Sequence, residues 1–189
     1  MDISFSKIIN QIKEIIINPK GFWREQKNKQ ESQFELLSGF LFPVLLIIAI
    51  VVFVGEFLWS ADFYFAYAIL KSVREIVLFA LQYFIAVYLT NVLIETFGGI
   101  KNIAVSRKLV VFSLTPFLLV SVITGLFPYL YVIDILGIYG FYILWIGAKE
   151  LLAFPEEKQN RFILFAILVN FFVFGFLSIV LSRLLTTYF

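Results

Sequence analysis

Away from water, the side chains of this sequence that could do chemistry are three carboxylates and three carboxamides. Glu56, Glu95 and Asp134 lie at the ends of long apolar stretches or inside them, and Gln82, Asn91 and Asn170 lie within such stretches. An ionisable group at membrane depth is costly and therefore a functional candidate by default. A carboxylate there suits a proton or a small cation, and a carboxamide suits a solute or an interhelical hydrogen bond. The competing explanation is that isolated polar groups near helix ends snorkel or cap.

Other chemistries are excluded by the residue alphabet. With no cysteine there is no disulfide, thiol catalysis or iron–sulfur cluster, and with no histidine the commonest transition-metal ligand and general base are missing. No metal site and no cofactor are expected. Nucleotide-binding, nucleophile-elbow and zinc-protease motifs do not occur. An intramembrane aspartyl enzyme needs two facing carboxylates, and Asp134 has no evident partner at its depth. We therefore expect no catalytic residues and a protein that is not an enzyme.

What must position these groups is a set of membrane helices. Hydrophobic residues make up 61% of the 189-residue chain and charged residues 15%, against about 25% charged in a soluble domain. A soluble fold of this size could not hide so much apolar surface. Five uncharged or nearly uncharged stretches are long enough to span, at about 36–55, 76–94, 109–126, 129–148 and 162–182. The fold class is all-α: five transmembrane helices preceded by an amphipathic segment over residues 1–33, with the membrane domain over 34–189.

Within that scheme Pro43 is expected to kink the first span. Residues 56–75, rich in aromatics, read as a re-entrant or surface connector. Ser113 and Thr115 are placed to satisfy the carbonyl that Pro116 frees. With the spans bounded in this way no span interior carries a basic residue, so no buried charge pair is expected. Asp134 and Gln82 fall toward one end of the bundle and could line one polar pocket. Asn91, Glu95 and Asn170 fall toward the other end and could form a second cluster.

The amino-terminal segment is not a signal peptide. Its apolar residues Phe5, Ile8, Ile9, Ile12, Ile15 and Ile16 recur at helical spacing until Asn18-Pro19 stops the helix. Such a helix either lies in the membrane interface or packs on the protein's own loops. Residues 20–32, in which Phe22 and Trp23 are the apolar anchors, read as a solvated connector with an interfacial tryptophan. Placing the amino terminus in the cytoplasm puts 12 of the 15 basic residues on that side, as the positive-inside rule requires. The carboxyl terminus then lies outside a cell membrane.

On a helical wheel Gly140 and Gly147 nearly coincide and Gly137 lies close by, so the fourth span offers a small-residue face for close packing within the chain or between subunits. Tyr139 and Tyr142 point the other way. The tyrosine pair, Gly147 and the Pro155-Glu156-Glu157-Lys158 exit resemble the prokaryotic branch of the Yip1-domain family. Asn18-Pro19 with Phe22-Trp23 and Thr115-Pro116 extend the resemblance over most of the chain. The resemblance implies a five-span membrane protein, and its prokaryotic branch has no agreed biochemical activity to carry over. Eukaryotic members bind prenylated Rab-type GTPases, but the short amino-terminal segment departs from their pattern, so GTPase binding is not expected here.

The expected role is non-enzymatic organisation of membrane or partner proteins through helix packing and the cytoplasmic face. The alternatives are a small-solute or ion transporter or channel using the polar groups above, or a lipid-binding protein. The expected partners are the bilayer, further copies of the chain or other membrane proteins. Nucleic acid is not among them, because the basic residues hug the membrane.

Overall fold

The computed structural model describes residues 5–152, 154 and 156–188. Pro155, part of the proposed family motif, lies outside the described residues. No strand occurs among them; the described residues form seven helices: α1 Phe5–Ile17, α2 Pro19–Asn28, α3 Gln33–Trp59, α4 Phe65–Thr96, α5 Ile103–Leu126, α6 Pro128–Leu151 and α7 Glu156–Tyr188. Helices α3 to α7 are long and apolar enough to cross a membrane.

The helix ends follow local chemistry. Asn18 accepts from the Gly21 amide at 3.1 Å and Pro19 opens α2, so the sequence signal that stops α1 also starts the next helix. Ser32 and Glu35 form a reciprocal capping box at the start of α3. Asn102 caps α5 through the amides of Ala104 and Val105. In α3 a π-helical turn, Leu37–Leu41, precedes Pro43. A widened turn next to a residue that cannot donate is a usual way of absorbing a proline.

The spanning helices form a ring in the order α3, α4, α7, α6, α5, and α4 and α5 also touch across it. Helix α5 is the most buried of the spans and α7 the least. Because chain direction alternates, the bundle has a near face, which carries α2, and a far face at Trp59 and Phe127. At the far face the Trp59 indole donates to the Leu126 carbonyl at 3.0 Å and its ring meets Tyr129 edge-on.

Three elements differ from the sequence expectation. The connector 56–75 is mostly not a surface segment, since α4 begins at Phe65 and carries Lys71, Arg74 and Glu75 inside one 32-residue helix. Those charges, which seemed to end a span, are tolerated because each has a partner on its own or a neighbouring helix. The first part of α6, Pro128–Ile138, is wound as a 3-10 helix with Leu130 off helical geometry. The tighter winding follows Pro128 and stretches the segment, at about 2.0 Å per residue instead of 1.5 Å.

The third difference concerns residues 20–32. Most of them are helix α2 rather than a solvated connector, and Phe22 and Trp23 are buried, Trp23 completely. Their rings pack edge-on with Phe112 of α5, which also meets Phe40 of α3. Edge-to-face aromatic packing of this kind adds about 0.5–1.5 kcal/mol per pair beyond area burial.

Candidate functional site

Two places gather polar or special residues: the joint where α1 and α2 dock on the bundle, and a polar cavity at the far face. At the joint, Gly147 lacks a side chain where Trp23 sits; a Cβ there would lie 2.5 Å from Trp23 Cε2 and 2.9 Å from Leu109 Cδ2. The Trp23 indole donates to the Ile143 carbonyl at 3.0 Å. That carbonyl lies one turn before Gly147, so the flat ring and the missing Cβ define one slot on α6.

Two more bonds hold the hairpin of α1 and α2. Tyr139 donates its hydroxyl to the Ile16 carbonyl at 3.1 Å. The Lys108 ammonium, 6% exposed, donates to the Gln26 carbonyl at 2.8 Å and to the Lys29 carbonyl. A buried cation on the last carbonyls of α2 is the favoured charge for a helix carboxyl end. Lys108→Met should leave these carbonyls unpaired and cost about 1–3 kcal/mol. Trypsin should then cut the variant faster at Lys27 and Lys29 than the unaltered protein.

The other glycines of α6 serve α5. A Cβ on Gly137 would lie 2.6 Å from Phe117 Cδ1, and one on Gly140 would overlap the Ser113 carbonyl oxygen. Tyr142 lies between Tyr139, which it meets at a tilt, and Trp145, which it meets edge-on, on the exposed face, and Lys149 lies over the Trp145 ring.

At the far face a cavity of about 300 Å³ is walled by α3 to α7. Lys71, Arg74 and Glu75 of α4 line it with Asp134 of α6, and Val52, Leu78, Val120, Phe117 and Phe174 form its apolar wall. Lys71 pairs with Glu56 at 2.6 Å. Arg74 pairs with Glu75 and donates to Ser182 Oγ at 2.7 Å and to Ser178 on α7. Charge pairs inside the bundle therefore exist, contrary to the sequence expectation. They were hidden because the start of α4 was read eleven residues too late.

Gln82 does not share this cavity with Asp134. It lies deeper, 1% exposed, and its amide nitrogen donates to the Asn170 backbone carbonyl at 3.3 Å and to Asn170 Oδ1 at 3.4 Å. A small void of about 20 Å³ adjoins them, with Ser113 and Gly140 in its wall. That is room for about one water. Phe117 and Phe174 line both spaces, with ring centroids 5.1 Å apart, so this pair separates the cavity from the amides.

The second expected cluster does not form either. Asn91 accepts from Ser106 Oγ at 3.5 Å, Glu95 pairs with Lys101 at 2.5 Å on the exposed near face, and Asn170 belongs with Gln82. These three were grouped by depth alone, but Asn91 and Asn170 find partners on crossing helices and Glu95 pairs with the loop residue Lys101. Pro116 opens the second half of α5, while the Ser113 and Thr115 hydroxyls are buried without a partner and do not perform the backbone repair expected of them.

Helices of this length and composition, with an amino-terminal hairpin locked into the bundle, describe a membrane protein. The sequence model of the Yip1 domain matches residues 13–179. The chain belongs to the Yip1 domain family. The match includes α2 and all five spans apart from the last residues of α7, so in this Yip1 domain the hairpin joint and the far-face cavity both lie within the matched region. Comparison with curated proteins and with solved structures gives no match.

Proposed function

We propose that this Yip1 domain protein is a non-enzymatic organiser of the cell membrane. In this reading α1 and α2 lie on the cytoplasmic side and the end of α7 lies outside, the direction the basic residues favour. The observation that carries it is the division of α1 into two apolar edges. Ile8 and Ile15 are buried against the protein, while Phe5, Ile9 and Ile17 stay exposed on a helix tied to the bundle. Exposed isoleucine and phenylalanine on an interfacial helix insert among lipid chains. Because the hairpin sits on one face only, it adds apolar volume to one leaflet. Helix α7, with Leu164, Phe165, Phe172 and Phe176 exposed, offers a second surface for lipid, a further copy or another membrane protein.

The test is reconstitution of the full chain into vesicles of phosphatidylethanolamine and phosphatidylglycerol, imaged by electron cryomicroscopy. Unaltered protein should narrow or tubulate the vesicles, and the double variant Phe5→Ser with Ile9→Ser should leave them at protein-free size. Equal effects of the two proteins would sink the proposal.

A second reading, small-solute transport, is favoured by the stacking of the far-face cavity over the Phe117–Phe174 pair and the Gln82–Asn170 amides. On that reading Gln82→Leu removes a mid-membrane polar contact and should abolish uptake into vesicles while leaving their shape unchanged.

A further inference from the structure

We propose that the far-face cavity is a binding site for an ammonium-bearing molecule with a short apolar body, held by Asp134. The charge inventory points to a cation. Lys71 and Arg74 are engaged by Glu56 and Glu75, and Asp134 is the charged group of the cavity lining without an ion-pair partner among the described residues. Together with Glu56 behind Lys71, the site carries one negative charge in excess. A bound cation would neutralise it, and the apolar wall lowers the local dielectric and strengthens that attraction.

The shape points to an organic cation. A cavity of about 300 Å³ is at the lower end of small-molecule sites, much larger than a bare ion needs. Among the described residues no three acidic side chains come together to hold a metal ion. Instead, Val52, Leu78, Val120 and the two floor phenylalanines offer a surface for carbon, and Tyr131 lines the same space with a ring able to face a cation.

The space under the floor is a separate one. Directly beneath the phenylalanine floor, Gln82 is almost wholly buried and its Oε1 has no donor; the Ser113 hydroxyl beside it is also unpartnered. A carbonyl oxygen can only accept. What the inner space lacks is one donor, which a single water can supply, and the Phe117–Phe174 pair keeps that space apart from the cation site. The site does not depend on the membrane-organising role, since α1 and the cavity lie at opposite faces.

An ammonium group could come from a free amine or from a lipid headgroup, and the experiment separates the two. The full chain in dodecyl maltoside, which has no ammonium, is titrated calorimetrically with phenethylamine, with dihexanoylphosphatidylethanolamine, and with neutral phenethyl alcohol. Saturable binding of the amine alone supports a soluble ligand, of the phospholipid alone a headgroup, and of both a shared ammonium site. Asp134→Asn should weaken binding at least about tenfold, and Ser121→Phe, which fills the cavity from α5, should abolish it. Glu95→Gln at the near face should change nothing. The proposal is overturned if neither amine saturates, if the alcohol binds equally well, or if both cavity variants bind like the unaltered protein. A failure here leaves the vesicle-shape result untouched, so the two proposals fall separately.

Discussion

Gly147→Leu is expected to release the hairpin of α1 and α2 from the bundle. The new Cβ alone would lie 2.5 Å from the Trp23 ring, and Leu109 closes the slot at 2.9 Å, so neither side offers the branched side chain room. Trp23 is rigid and fully buried, so it must leave rather than adjust. Its departure breaks the bond to the Ile143 carbonyl and uncovers the aromatic cluster with Phe22 and Phe112. Expelling a buried tryptophan costs about 3–5 kcal/mol.

Tryptophan emission should shift to longer wavelength, and trypsin should cut at Lys20 and Arg24 under conditions that leave the unaltered protein intact. A double-mutant cycle gives the sharper check. Once Trp23→Ala has emptied the slot, adding Gly147→Leu should cost much less than it does alone. If the two losses simply add, Trp23 is not what Gly147 accommodates.

The second large effect is expected at Gly55, where α3 meets α5. A Cβ there would overlap the carbonyl oxygen of Gly125 and lie 3.1 Å from that of Leu126. These are backbone atoms of a helix, which cannot rotate aside as a side chain can, so even Gly55→Ala must push the two helices apart. Overpacking of this kind costs about 1–3 kcal/mol. It should also break the bond from Trp59 to Leu126 one turn further on. Thermal unfolding in detergent should show a clear loss for Gly55→Ala and none for Gly175→Ala, whose Cβ would meet nothing within 4 Å. A loss of similar size at both positions would mean that helical glycines matter here for some reason other than close approach.

These two sites show how unevenly the structure was legible. Gly147 was visible in the sequence because it shares a wheel position with Gly140 on one helix. Its neighbour was not, since Trp23 lies 124 residues earlier in a stretch whose lysines and glutamines looked solvated. Gly55 and Gly125 gave no signal at all: Gly125 is alone on α5, Gly55 lies far along α3 from Gly39, and only the helix crossing makes Gly55 and Gly125 a pair. Asn18-Pro19 is an intermediate case. The proline signals a break, and the break is there, but the same two residues cap and open a further helix.

The sequence alone determined that this is a multi-pass helical membrane protein, with five spans and an amphipathic leader. Apolar length decides that much, because a helix satisfies its own backbone in lipid whatever its neighbours are. Tertiary structure decided everything that depends on two helices meeting. It put Lys71, Arg74 and Glu75 inside α4, where Glu56, Ser178 and Ser182 hold them, and it left Asp134 in the same cavity without an ion-pair partner among the described residues. It joined Gln82 to Asn170, and it closed Trp23 over Gly147. In lipid no burial from water drives helices together, so such contacts come from close packing and polar pairing at helix crossings. A crossing is a property of two helices together, and no single stretch of sequence records it.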